Sequence, residues 1–156
     1  MRYAGTTNVV PFPAHDEASV RLRFEHIRQH VQMLDRELQR LARGRFHGSG
    51  ELHRHTAGPL VRIQCLDGYL GSFIPGGPTM TAQERRRRCR IEAARDDLRS
   101  ALVAAADSLR RLSDPAVKAL ERQEVLAELP LHRTRQGCIL TAFDELLLDE
   151  LPAAAR

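Results

Sequence analysis

Five arginines fall within six positions of this chain, Arg85-Arg86-Arg87-Arg88 and Arg90. Guanidinium groups bind phosphate and carboxylate oxygens bidentately, so a cluster of this kind points to an anionic partner. Its placement is unusual for a helix. Each residue turns the helix by about 100°, so four in succession go almost all the way round. Counting back from Ile91 at heptad spacing brings Arg87 or Arg88 onto the stripe where the apolar residues would continue. Positive charge in the first turns also opposes the helix dipole, at roughly 0.3–1 kcal/mol per exposed charge. An arginine-rich helix start that leaves the core to meet an anion accounts for both costs. Nucleic-acid phosphate is one such anion. An acidic protein surface is another, and the chain's own Asp144, Glu145, Asp149 and Glu150 are a third. Arginine abundance by itself carries less weight. Of the 24 basic residues all but Lys118 are arginine, a preference that GC-rich codons produce, and the formal net charge is only +4.

Other reactive side chains form weaker patterns. His26, His30, His47, His53 and His55 lie close together, and His26 and His30 share a helix face. That pair could ligate a metal, and His53-x-His55 with Cys65 is a second possible set, but no zinc spacing pattern is met and both helix histidines lie off the apolar seam. Exposed histidines and no metal or other cofactor are therefore expected. Cys65, Cys89 and Cys138 are odd in number and widely spaced, which predicts reduced thiols and a cytoplasmic location. No G-x-S-x-G elbow surrounds any serine, and the doublets Asp96-Asp97, Asp144-Glu145 and Asp149-Glu150 point apart on a helix. No catalytic residue is assigned. Near the start, Val9-Val10-Pro11-Phe12-Pro13 favours an extended backbone. It either folds back onto the core or docks into a partner's groove.

The elements that position these residues are mostly helical. Residues 1–15 read as a tail. Over 16–43 the apolar residues Val20, Phe24, Ile27, Val31, Leu34, Leu38 and Leu41 recur at gaps of four and three, a heptad seam ended by Gly44. Residues 44–80 hold eight of the ten glycines and Pro59, Pro75 and Pro78, and read as an insert. There, alternating Val61, Ile63 and Cys65 followed by Asp67-Gly68 predict a small β-hairpin over 60–74. Thr81 and Glu84 form a capping box for a second long helix over 81–112. Its later apolar positions, Leu98, Leu102, Ala105, Leu109 and Leu112, repeat the seam. Ser113-Asp114-Pro115 starts a third helix that Pro130 stops near Leu129, and a fourth runs from about Gly137 to Leu151, ahead of a tail over 152–156.

The expected fold is mainly α: two long helices packed as an antiparallel coiled-coil-like hairpin, two shorter helices on it, and a Gly-rich insert holding a β-hairpin, all in one domain over 16–151. Alternatively the Val20–Leu41 seam pairs with a second copy in a homodimer. The 156 residues, 42% apolar and 28% charged, exclude a wholly disordered chain and a membrane protein. A helix-turn-helix is disfavoured, because the connection before the last helix has no glycine and that helix is acidic. The leading expectation is a small non-catalytic regulatory protein that binds nucleic acid through Arg85–Arg90. A protein-interaction adaptor or chaperone-like helical module comes second, and a metal-binding protein or enzyme third.

Overall fold

The computed structural model describes residues 17–46, 48–72 and 81–148. They form four helices, α1 (Glu17–Arg43), α2 (Ser49–Gly71), α3 (Ala82–Ser113) and α4 (Ala119–Leu148), and no strand occurs among the described residues. α1 follows its heptad seam: Phe24, Ile27, Val31, Leu34, Leu38 and Leu41 are each 4% exposed or less. Each such side chain removed from water contributes roughly 1.5–3 kcal/mol. The helix ends where the Gly44 N–H bonds the Leu41 carbonyl at 3.3 Å. The Phe46 ring folds back so closely that a Cβ at Gly44 would lie 2.5 Å from it.

The predicted hairpin is replaced by helix as far as Gly71; residues 73 and 74 lie outside the described residues. Leu52, Thr56, Pro59, Ile63, Leu66 and Leu70 are all buried, at gaps of four and three. Thr56 and Pro59 disguise a heptad stripe. Of the alternating trio only Ile63 is buried, and Asp67, instead of opening a turn, pairs with Arg99 of α3 at 2.8 Å. Burying the whole stripe outweighs the roughly 0.8–1 kcal/mol that each interior glycine costs a helix. At its start Gly48 has φ 141°, a conformation essentially reserved for glycine.

α3 has the expected capping box, with Thr81 and Glu84 each bonding the other's backbone N–H. Ile91, Ala94, Leu98, Ala101, Ala105, Ser108 and Leu112 are buried at heptad gaps, and the alanines let neighbouring backbones approach. α4 is continuous where two helices were expected. Pro130 lacks an N–H, so one intrahelical bond to the Leu126 carbonyl is missing, but the ring is exposed and the helix passes through it. Continuity is favoured because Val125, Leu129, Gln136 and Phe143 are buried on one stripe, with half-buried His132 between them.

The helices form a ring in which each packs on its chain neighbours and α4 closes on α1. The two long helices α1 and α3 are therefore diagonal rather than paired as a hairpin, because a full α2 stands between them in the chain and short connections favour packing on the next helix. Ion pairs show the directions. Arg28 with Asp144 and Asp35 with Arg133 run α1 antiparallel to α4, and Arg62–Glu37, at 2.8 Å, ties α2 to α1. The α1 seam thus closes on the chain's own helices. No helix among the described residues is long and apolar enough to cross a membrane.

Candidate functional site

The arginine-rich start of α3 stands clear of the core. From Thr81 to Arg90 no residue is buried, and the first buried side chain is Ile91. Arg87 and Arg88 are the half-buried members, as heptad counting predicts, while Arg85, Arg86 and Arg90 are exposed. Arg88 is held by Glu92 one turn on, at 2.8 Å. Arg86 and Arg90 have no acidic partner among the described residues. Together with Gln83 they occupy positions i, i+3 and i+7, so they share one face, and they line an open concavity of about 690 Å³. Glu84, the acid nearest in sequence, is engaged at the helix cap. The arrangement presents two adjacent guanidinium groups and a carboxamide, a set of donors that suits phosphate oxygens.

The acidic segment of α4 uses one of its described carboxylates elsewhere: Asp144 pairs with Arg28 of α1. Asp149, Glu150 and the tail residues Val9, Val10, Pro11, Phe12 and Pro13 lie outside the described residues. His26 and His30 stack edge to face 5.7 Å apart, each ring 5.5–5.6 Å from Tyr69 of α2. Arg62 donates to His30 Nδ1 at 3.1 Å, and burial followed by the Arg62 and His26 charges holds His30 below the usual imidazole range. Among the described residues no group of three or more His, Cys, Asp and Glu side chains converges on a point. Cys65, Cys89 and Cys138 are free and exposed.

Two polar side chains that sequence reasoning assigned to a connection instead occupy the core stripe of α4. His132 Nε2 lies 2.8 Å from the Ser108 hydroxyl of α3, which also donates to Glu128 Oε2 at 3.4 Å. Burial lowers the His132 pKa against the opposing pull of Glu128. The carboxylate touches the serine rather than the far imidazole nitrogen, and Ser108 is 3% exposed, so this is a core network and not a nucleophile facing solvent. One turn on, Gln136 is 1% exposed, and neither its Oε1 nor its Nε2 has a hydrogen-bond partner. Heptad spacing from Leu129 through His132 to Gln136 and Phe143 was the signal available for both residues.

No family model, curated protein or solved structure matches this chain.

Proposed function

We propose that the protein is a small non-catalytic nucleic-acid-binding module whose contact surface is the projecting start of α3. The reading is carried by one observation. Arg86 and Arg90 share a solvent-facing stripe with Gln83, without an acidic partner among the described residues, on a stretch of helix with no fully buried side chain. A helix start with this composition loses stability through its dipole, and phosphate binding offsets the loss. Arg85, Arg87 and Arg88 add positive potential beside the stripe and steer a polyanion toward it. Gln83 can donate to a phosphate oxygen or sugar, contacts that position a duplex without reading its sequence. The expected mode is thus backbone binding with low sequence preference. The test is fluorescence anisotropy with a labelled 30-base-pair DNA duplex at low salt (a probe of roughly three helical turns). Wild type binds, and Arg86→Gln/Arg90→Gln binds more weakly and with a smaller salt dependence. Absence of wild-type binding at low salt refutes the proposal.

A further inference from the structure

We infer that the concavity between the α1–α2 connection and the start of α4 binds a small aromatic anion, a ring joined to a carboxylate or a phosphate. It has a volume of about 580 Å³, a size that suits a small-molecule ligand. Its charged lining is Arg45 and Arg122, and no acidic residue lines it. Arg122 is half-buried, yet the one hydrogen bond of its guanidinium among the described residues runs from Nη2 to the Asp114 carbonyl at 3.3 Å. That bond fixes the group without neutralising it, and a half-buried charge left in this way is costly. Nε is closed to solvent, so Nη1 is the nitrogen left to a ligand. Arg122 also stands in the first turn of α4, where a cation opposes the helix dipole. Arg45 is exposed and has no acidic partner among the described residues. These two are therefore the cations available to an anion that enters from solvent, and guanidinium groups bind carboxylate and phosphate oxygens bidentately.

The connection builds the apolar part of the lining. Gly44 has no Cβ, which lets the Phe46 ring lie over it, and Gly48 turns the chain into α2. Phe46 is thereby held half-buried on the wall of the concavity, which Leu52 of α2 and half-buried Leu126 of α4 also line. A ring on the ligand can pair edge to face or offset with Phe46. Gln123, exposed and next to Arg122, can donate to the same anion. The site lies where α1 ends, at the opposite end of the bundle from the arginine stripe on α3, so the two proposals fail separately.

The probes are 3-phenylpropanoate and phenyl phosphate, added to the full chain. The readout is the pair of Gln123 side-chain N–H signals in 1H–15N spectra, assigned by their absence in Gln123→Met. Saturable shifts are expected, with Kd on the order of millimolar for probes of about eleven non-hydrogen atoms. Inorganic phosphate, which lacks the ring, and 3-phenylpropanamide, which lacks the charge, bind about tenfold more weakly. Arg122→Gln weakens binding of the anions about tenfold, and Arg45→Gln, at an exposed position, about threefold. Ala119→Leu fills the concavity from an exposed position and abolishes binding. Arg43→Gln removes the same charge from a neighbouring position that does not line the concavity, and leaves binding unchanged. The tighter of the two probes identifies the anion: phenyl phosphate assigns the site to a phosphate monoester, 3-phenylpropanoate to an aromatic acid, and equal affinity to both. The inference is overturned if neither probe moves the signals, or if the neutral amide binds as tightly as the acid. It is also overturned if Arg43→Gln costs as much as Arg45→Gln, or if Ala119→Leu leaves binding undiminished. Arg45 and Ala119 are both exposed, so their variants decide the matter even if Arg122→Gln loses the fold.

Discussion

The salt dependence of binding gives the sharpest test of the arginine stripe, because it counts contacts. Each phosphate neutralised on duplex DNA contributes about 0.9 to the slope of log K against log salt. Arg86 and Arg90 are the two cations without an acidic partner on the stripe, so Arg86→Gln/Arg90→Gln removes about 1.8 from the slope. Over a fourfold rise in salt, from about 50 to about 200 mM, the wild-type affinity then falls about 12-fold further than that of the variant. Net charge alone is controlled by a second pair. Arg40→Gln/Arg43→Gln removes the same charge from the last turn of α1. Because α1 and α3 run in the same direction, that turn lies at the opposite end of the bundle. If binding is local to the start of α3, this pair leaves the slope unchanged. The assay is anisotropy with the labelled duplex at five salt concentrations, with each variant's fold checked by circular dichroism. Equal loss of slope in the two pairs would refute a local contact and leave only diffuse attraction.

Three further outcomes follow from the core. Ser108→Ala removes the hydroxyl partner of the half-buried His132 and costs about 0.5–1.5 kcal/mol in urea unfolding, while adding His132→Leu recovers most of that loss, as the removal of both partners should. His30 and His132 both have folded-state pKa values below the ordinary 6.5, so each binds its proton more weakly when folded. Stability is therefore complete above that value and falls as pH drops through it toward the folded values, and urea midpoints measured from about pH 8 to about pH 5 should decline less in His132→Leu than in wild type. Gly48→Ala places a Cβ at φ 141° and costs about 1–3 kcal/mol, which thermal unfolding will show.

How much was legible follows from what fills each stripe. α1 and α3 were readable to within a residue because their stripes are aliphatic, aromatic or alanine and their ends carry a glycine stop and a capping box. α2 was not. Its stripe has the same gaps, but Thr56 and Pro59 stand at two of the six positions, and the glycines around them suggested turns. Tertiary burial decided against local propensity there. The ring order was hidden for the same reason: without α2, the two long helices had only each other to pack on. At the arginine run, heptad counting put Arg87 or Arg88 on the stripe, and both are half-buried, because the count relies on helix geometry and not on composition.

α4 was misread for a reason that bears on function. Its stripe is apolar at both ends and polar in the middle, where His132 and Gln136 replace the leucines a bundle would place there. Natural sequences depart from consistent patterning mainly where something other than folding requires it. The two residues answer that expectation differently. His132 has Ser108 at 2.8 Å and is satisfied within the fold, so its role is structural. Gln136 is buried on the core stripe, and its carboxamide has no hydrogen-bond partner among the described residues. A core selected for stability alone would carry leucine at 136. The sequence keeps that cost one turn from a satisfied polar pair, so replacing Gln136 by leucine should raise stability where replacing Ser108 alone lowers it.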